Sequence, residues 1–517
     1  MRWTSRAAGR LLVGAVSAAL VAATALVLVA LPAAAATPPV SLDWDRDIGP
    51  ATLAQPYPYN RAFDPIVAAH PTDADRIAVV YHRYRTSSGS CSSLSTGLRL
   101  THDGGATWRE AGGLPWAGSG RAPNWHGTLA WGPGPTPGRA RLYWADTTVP
   151  GCPFTSHRLS VAWSDDEGET WSTMWLAAKG TATPDGGYPD ITVDTHPSSP
   201  NLGVVYATIN WFPVGTEPHL RVYASRDFGV TWTWVEVPKL VAPSGYPFAY
   251  RIGYRLTSAP DGSLYVTFHQ SDRTTAEGGR FGREAFGLAR LRYDRATGTF
   301  QVGPQRLVRS LDINRAVLGG VPAPGSTDTS RIRPRWTHGV DVDPATGRLY
   351  VALADYDLSA PASRARGRLF VGRSDDHGRT WAWTTVPALP KVDGRRQSAH
   401  KPTLVVGDGF VFVGLHGLVD VPPGTKPKLG LATIGTYWTV SADAGVTFRS
   451  PVAIGGVRWN LEALKRAGNR AGLRDRAALT ADGRVVYVHG DGRAALAAPS
   501  PLEGLSTIRL SRFSPPS

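Results

Sequence analysis

Short runs of alternating apolar and polar residues recur along most of the chain, and turn-forming residues separate them. In the run from Leu159 to Trp163, for example, Leu159, Val161 and Trp163 alternate with small residues. A period of two predicts a strand with one face buried. Many short strands separated by turn residues are typical of all-β folds. The pattern therefore predicts an all-β protein.

A longer unit also recurs, and it contains a strand, a turn with Pro, Asp or Gly, and a second strand. Its copies follow one another at roughly 60–80 residues, which indicates a repeat architecture. The seven copies are Asp64–His82, His126–Asp146, Asp190–Asn210, Arg255–His269, His338–Asp355, Lys401–His416 and Arg476–His489.

A turn motif of the form Ser/Thr-x-Asp-x-Gly-x-Thr-Trp/Phe follows five of these units. Its Asp can accept bonds from nearby backbone amides, and its Gly can adopt a positive φ. This composition predicts the tip of a β-hairpin, with a structural role for the aspartates. The copies span Thr101–Trp108, Ser164–Trp171, Ser225–Trp232, Ser374–Trp381 and Ser441–Phe448, and their aspartates are Asp103, Asp166, Asp227, Asp376 and Asp443.

This motif is the Asp-box, and the chain resembles the Asp-box (BNR) repeat proteins, whose best-known members are the sialidases. The resemblance and the seven units predict a seven-bladed β-propeller with four strands per blade. The fourth unit has the degraded turn Asp294–Phe300, and the seventh ends in one strand, Ser506–Phe513. Val40–Asp47 is strand-like and is expected to close the ring. A six-bladed sialidase-type ring is the alternative.

The first 36 residues read as a signal peptide. Arg2, Arg6 and Arg10 precede the apolar segment Leu11–Leu31, and Ala34–Ala36 offers a cleavage site. We therefore expect a secreted protein in which residues 37–517 form a single propeller domain, with no membrane span after cleavage. An uncleaved membrane anchor is the alternative, because the apolar segment is long enough to span a bilayer.

Composition and charge bear on the class of protein and on its binding partners. Charged residues are 19% and hydrophobic residues 42%, as in globular proteins. The three arginines of the signal peptide reduce the net charge from +14 to +11 on cleavage. No Lys/Arg-rich run stands out, so we do not expect nucleic-acid binding. The only cysteines, Cys91 and Cys152, are expected to form a structural disulfide in an oxidising compartment, and no zinc spacing is present.

The chemistry is expected at the end of the ring opposite the Asp-boxes, where first strands begin and second strands end. Carboxylates there can serve as general acid and as base or nucleophile in glycoside hydrolysis. The catalytic candidates are Asp64, Asp146, Asp190 and Asp355. The substrate-binding candidates are Arg61, Trp125, His126, Arg255, His269, Arg335, Trp336, His338, His400, Lys401, His416 and His489.

The resemblance to sialidases implies arginines that bind a substrate carboxylate and a tyrosine nucleophile. The candidates for these roles are Arg61, Arg255, Arg335 and Tyr254. We therefore expect a secreted, sialidase-like glycoside hydrolase that is monomeric, uses no metal or other cofactor, and acts on a glycan, including an anionic one. The alternatives are a non-catalytic propeller that binds a glycan or a protein on the same face, and a purely structural envelope protein.

Overall fold

A computed structural model describes the following residues: 40–49, 62–84, 94–111, 115, 121–150, 158–176, 187–211, 219–240, 250–273, 281–311, 337–356, 367–419, 433–456, 458–460, 475–491 and 507–514. The predicted signal peptide (residues 1–36), Cys91 and Cys152 lie outside them, so cleavage and the disulfide stay predictions. The described residues form strands and turns. Among them there is no helix with the length and apolar character needed to cross a membrane.

The strands are short and follow one another closely. In chain order they are β1 (Ser41–Asp47), β2 (Ala62–Ala69), β3 (Ile77–Tyr84), β4 (Leu94–Thr101), β5 (Arg109–Glu110), β6 (Arg121–Pro133), β7 (Ala140–Pro150), β8 (Arg158–Ser164), β9 (Ser172–Trp175), β10 (Gly187–Val193), β11 (Val205–Trp211), β12 (His219–Ser225), β13 (Thr233–Val237), β14 (Tyr250–Ser258), β15 (Ser263–Arg273), β16 (Phe281–Asp294), β17 (Thr299–Val302), β18 (Arg306–Leu311), β19 (His338–Val342), β20 (Leu349–Tyr356), β21 (Gly367–Ser374), β22 (Ala382–Thr385), β23 (Gln397–Gly407), β24 (Phe410–Val419), β25 (Thr433–Ser441), β26 (Val452–Ala453), β27 (Trp459–Asn460), β28 (Arg476–Leu479), β29 (Val485–Asp491) and β30 (Thr507–Ser514).

These strands form seven antiparallel sheets, the blades. In order from the first strand outward, the blades are β2–β5 (blade 1), β6–β9 (blade 2), β10–β13 (blade 3), β14–β17 with β18 beside β16 (blade 4), β19–β22 (blade 5), β23–β26 with β27 beside β25 (blade 6) and β28, β29, β30, β1 (blade 7). The prediction of seven four-stranded blades closed by the N-terminal strand is confirmed. The six-bladed alternative is wrong, because all seven repeat units form a sheet of their own.

The first strands of the blades line the centre of the ring. Each contacts the first strands of both neighbouring blades, and β28 of blade 7 contacts β2 of blade 1. The ring is therefore closed. Closure in blade 7 depends on β1, which pairs with β30 from Ser41–Ser514 to Asp47–Arg509.

The hydrophobic core consists of seven separate clusters, one between each pair of neighbouring blades. Leu98 of blade 1 packs with Leu142 and Trp144 of blade 2, for example. Blades are thus covered on both faces, so their central strands are continuously apolar rather than alternating. In β24, every residue is buried.

The five repeated turns join the third and fourth strands of blades 1, 2, 3, 5 and 6, and they share one hydrogen-bond pattern. In blade 5, Ser374 Oγ donates to Asp376 Oδ1 at 2.8 Å and accepts from the Gly378 amide at 2.8 Å. The Thr380 amide and hydroxyl donate to Asp376 at 2.8 and 2.7 Å. The same bonds to Asp and Ser/Thr recur in the turns of Asp103, Asp166, Asp227 and Asp443.

Each repeated turn packs its aromatic ring against the preceding blade. Trp171 of blade 2 packs on the cluster between blades 1 and 2. Gly168 of the same turn has φ +87°, and a Cβ there would lie 2.9 Å from Leu98 Cδ2 of blade 1. A larger residue is therefore excluded by both the backbone conformation and the close approach. The predicted degraded turn of blade 4 also joins a third and a fourth strand, with Asp294 accepting from the Ala296 amide at 2.8 Å.

The buried Asp45 on β1 offers a test of ring closure. It accepts from Arg509 Nε at 2.7 Å and Ser511 Oγ at 3.0 Å, and it lies 3.5 Å from His489 Nε2. Burial raises the pKa of Asp45, but His489 and Arg509 together hold it well below its ordinary value. A lowered pKa stabilises the fold above the unfolded-state value, about pH 4, and this contribution is lost as the pH falls.

We therefore expect Asp45→Asn to lower the free energy of unfolding at pH 7 by roughly 2–4 kcal/mol. The difference from the unmodified protein should shrink as the pH falls below about 4. Urea denaturation across this range measures both. The matched control is Asp43→Asn, since Asp43 is exposed on the same strand and contacts Ser514 alone among the described side chains. An equal effect of both substitutions would contradict a special role for Asp45.

Candidate functional site

The innermost strands of five blades begin with a β-bulge, at the end of the ring opposite the repeated turns. A bulge redirects the side chains beside it and is common next to functional sites. Two residues at these bulges have strained positive φ angles, Asp64 (50°) and Lys401 (49°). The bulges lie between Phe63 and Ile66, Asn124 and Thr128, Gly187 and Asp190, Ile252 and Arg255, and His400 and Thr403.

One group of charged side chains at this end, the Lys401 cluster, joins blades 6, 7 and 1. It consists of Lys401, His400, His416, Asp475 and Asp64, all buried. His416 Nε2 pairs with Asp475 Oδ2, and the Gly490 amide donates to Asp475 Oδ1 at 3.2 Å. The cluster therefore combines two carboxylates, two imidazoles and an ammonium group out of contact with bulk water.

Electrostatic effects within the Lys401 cluster are strong because the groups are buried together. Burial lowers the pKa of Lys401, and Asp475 and Asp64 partly offset this. Burial alone would raise the pKa of Asp475, but His416 and then Lys401 bring it below its ordinary value. Asp475 is therefore held as a carboxylate at neutral pH.

His400 differs from the other members, because neither of its ring nitrogens has a hydrogen-bond partner within the described part of the chain. Burial, and then the charges of Lys401 and His416, lower the pKa of His400 to about 3. A neutral imidazole with an open donor and an open acceptor is costly unless something binds there. The Nδ1 atom of His416 is likewise without a partner among these residues.

A second contact, the ion pair of Arg476 and Asp190, crosses the centre of the ring and is called the channel bridge. Arg476 Nη2 of blade 7 donates to Asp190 Oδ1 of blade 3, although these blades are not neighbours. Asp190 also accepts from Thr128 Oγ1 at 3.2 Å and from the Leu256 amide at 2.9 Å. With three donors, this carboxylate group is held in one position.

Two histidines of blades 4 and 5 meet beside the channel bridge. His269 Nε2 lies 3.1 Å from His338 Nδ1, and Thr267 Oγ1 lies 2.6 Å from His338 Nε2. Burial, then His269 and Arg255, hold the pKa of His338 well below its ordinary value. His338 is therefore neutral at pH 7, while Arg255 is half-buried beside it.

The remaining predicted residues are dispersed. Asp146 is buried beside Gly127, where a Cβ would lie 2.9 Å from Asp146 Oδ2. Asp355 Oδ2 is 3.6 Å from Arg309 Nε. Tyr254 is buried in the apolar cluster between blades 3 and 4, a position that favours a packing role over a nucleophilic one.

His489 faces the interface between blades 6 and 7, where Thr436 Oγ1 is 3.4 Å from its Nδ1. Trp125 and His126 lie on β6 beside its bulge. The predicted residues Arg61, Arg335 and Trp336 lie outside the described residues.

Asp475 is a functional candidate that the sequence-based site prediction missed, whereas Arg476, the first residue of the seventh repeat unit, was expected at this end of the ring without an assigned role. Asp475 directly precedes β28, the innermost strand of blade 7. Asp64 lies at the start of the innermost strand of blade 1. The corresponding position of Asp475 in blade 7 could therefore have identified it as a site candidate. Nothing in the sequence pairs Arg476 with a residue 286 positions away. Among the described residues there is no group of three His, Cys, Asp or Glu arranged to hold a metal ion.

Comparisons with known proteins return similar structures but no matching sequence family. No family model and no curated protein matches the chain. An α-L-arabinofuranosidase of Fusarium graminearum, in complex with arabinobiose, has 14% identity and a TM-score of 0.43, covering 74% of this chain and 94% of that one. An α-L-arabinanase of Penicillium chrysogenum, also with arabinobiose, has 16% identity and a TM-score of 0.42, covering 73% and 94%.

A third similar structure is the intramolecular trans-sialidase of Ruminococcus gnavus in complex with oseltamivir carboxylate. It has 12% identity and a TM-score of 0.37, covering 71% of this chain and 93% of that one.

Removing the cation of the channel bridge should destabilise the protein strongly. We expect Arg476→Ala to lower the free energy of unfolding by roughly 3–5 kcal/mol, because Asp190 is left buried without its cation. Adding Asp190→Asn should recover part of this loss. The control is Arg484→Ala, whose partner Asp482 is on an exposed turn and whose removal should cost less than about 1 kcal/mol. Equal losses for the two arginines would contradict the bridge.

His400 should make stability depend on pH. Its pKa is lowered on folding, so the unfolded chain takes up a proton below about pH 6.5 that the folded chain does not. Stability should therefore fall with decreasing pH, by up to about 1.4 kcal/mol per pH unit from this residue. His400→Gln should flatten the dependence between about pH 6.5 and 4, measured by urea denaturation. An unchanged slope would contradict the neutral, buried imidazole.

Proposed function

We propose that the protein is a glycan-active hydrolase that acts through carboxylates of the Lys401 cluster. The observation that carries the proposal is that Asp64 and Asp475, from neighbouring blades, both act on the buried charge of Lys401. Two carboxylates that flank one point are the usual machinery of glycoside hydrolysis. The open nitrogens of His400 and His416 add hydrogen-bonding positions for sugar hydroxyls.

We propose different roles for the two carboxylates. Asp475 is held ionised by His416 and Lys401, so it suits a nucleophile or a general base. We assign proton donation to the leaving group to Asp64. The strained backbone at Asp64 and Lys401 supports a functional role for this cluster, because such strain is concentrated at functional sites. Lys401 would orient both carboxylates.

An anionic sugar is the substrate class that the neighbouring cations favour. Arg255 and Arg476 lie beside the same end of the ring, and Arg-carboxylate contacts are strong and directional. A sialidase-type exo reaction is the specific form of this proposal, with Arg61 and Arg335 as further candidates for the substrate carboxylate. The predicted signal peptide supports action outside the cytoplasm, on an extracellular glycan.

A second function, binding without turnover, is favoured by one observation. Asp190 has three donors and Asp355 has Arg309 as a cationic partner. Carboxylates held by such partners contribute charge and shape to a binding surface. A propeller in which the whole ring of carboxylates is fixed would bind a glycan or a protein at the same end.

The test is turnover of fluorogenic glycosides, including a sialoside, a uronide and a β-glucan, by the purified protein. We expect Asp64→Asn and Asp475→Asn each to reduce kcat by about 100-fold or more, because each removes a group that transfers a proton or bears charge in the transition state. The matched control is Asp482→Asn, which makes the same chemical change on the turn between β28 and β29, at the opposite end of the ring.

Full activity of both the Asp64 and Asp475 variants would exclude this mechanism. If the folded protein hydrolyses none of the substrates but binds one of the same glycans, and Asp475→Asn weakens that binding, the non-catalytic alternative is supported instead. Thermal unfolding of each variant separates loss of activity from loss of fold.

A further inference from the structure

A small cavity lies between blades 4 and 5, and the charged residues that line it are arginines. It lies at the end of the ring that carries the repeated turns, opposite the Lys401 cluster, and it has a volume of about 240 Å³. Its charged and titratable lining consists of Arg290, Arg292, Arg306, His377 and Arg379. The described lining contains no carboxylate.

Three of these arginines have no side-chain partner among the residues that the structure describes. Arg290 donates to Asp261 Oδ2 at 2.7 Å and to Ser263 Oγ at 2.8 Å. Within the described residues, the side chains of Arg292, Arg306 and Arg379 form no hydrogen bond or ion pair. Like charges gathered around one cavity repel each other, and an anion bound between them relieves this repulsion.

At the equivalent position of another blade, a carboxylate of the protein itself pairs with the nearby cation. Glu167 in the turn of blade 2 and His377 in the turn of blade 5 occupy the same motif position, with φ angles of 59° and 60°. Glu167 pairs with Arg76 at 2.6 Å and with His102 at 2.9 Å. Between blades 1 and 2, therefore, the protein supplies its own carboxylate where the blade 4–5 cavity has an imidazole.

We propose that this cavity, the arginine cavity, binds a phosphate or sulfate group of a small ligand. Guanidinium groups bind tetrahedral oxyanions through paired N–H donors, and three of them here have no partner among the described residues. Water occupies about 30 Å³ per molecule in the liquid, so the cavity has room for an oxyanion and part of its carrier. The site is separate from the Lys401 cluster and does not depend on the proposed hydrolysis.

His377 provides an internal reporter of binding. Its Nδ1 is 2.7 Å from the Tyr265 hydroxyl. Burial, then Arg290, Arg292 and Arg379, lower the pKa of His377, while Asp261 acts in the opposite direction. An oxyanion among the arginines would offset their charge, so the pKa of His377 should rise when the cavity is filled.

The experiment measures binding of inorganic phosphate and inorganic sulfate to the purified protein by calorimetry, at constant ionic strength against chloride. Glucose 6-phosphate and glucose 6-sulfate then distinguish the two groups on a carrier. We expect saturable binding, with a rise in the pKa of His377 followed by NMR. His377→Glu supplies the carboxylate that Glu167 supplies in blade 2, and it should weaken binding about tenfold or more.

The matched control is Ala444→Glu. Ala444 occupies the same motif position in the turn of blade 6, with φ 55°, so the substitution adds the same charge at the same backbone conformation outside the cavity. Binding should be retained in this control and reduced in a second cavity variant, Arg379→Ala. The proposal is overturned if phosphate and sulfate bind no better than chloride, if His377→Glu retains full affinity, or if both Glu variants lose affinity equally.

Discussion

The packing of each repeated turn against the preceding blade is the constraint on which the ring depends. Bonds to one Asp fix the turn, a glycine with positive φ lets its backbone approach the neighbouring blade, and the aromatic ring then covers the interface. Because the core is divided into seven interfaces, the geometry of every interface contributes to the angle between blades. Small errors would add up around the ring, so a repeated and rigid device is well suited to closure.

Closure in turn determines the electrostatics at the centre. Side chains from blades that never touch along their strands are brought together there, as Arg476 of blade 7 and Asp190 of blade 3 are. Burial makes these charges depend on one another, because solvent does not screen them. The same constraint explains why Asp475, at the start of blade 7, forms one unit with His416 and Lys401 of blade 6.

The repeat units made most of the fold predictable from the sequence. Alternation located the strands, the Asp and Gly of each turn located the hairpins, and the count of units gave seven blades. The site was less predictable, because its contacts join residues far apart in the chain. Asp475 stood at a recognisable position before its strand, but the pairing of Arg476 with Asp190 has no local signal. Tyr254 was a candidate nucleophile because of its place in the sequence, but its ring lies in the apolar core between blades 3 and 4.

The pairing of β1 with β30 places the two ends of the propeller in one sheet. The first strand of the propeller to be synthesised, β1, therefore has no partner until β30 has been made. Six blades can assemble in the order of synthesis, but the seventh blade cannot form until β30 has been synthesised. A chain cut short near its C-terminus would leave β1 as an unpaired strand edge, which is prone to association with other chains. Completion of the ring thus depends on contacts between the two most distant strands of the propeller.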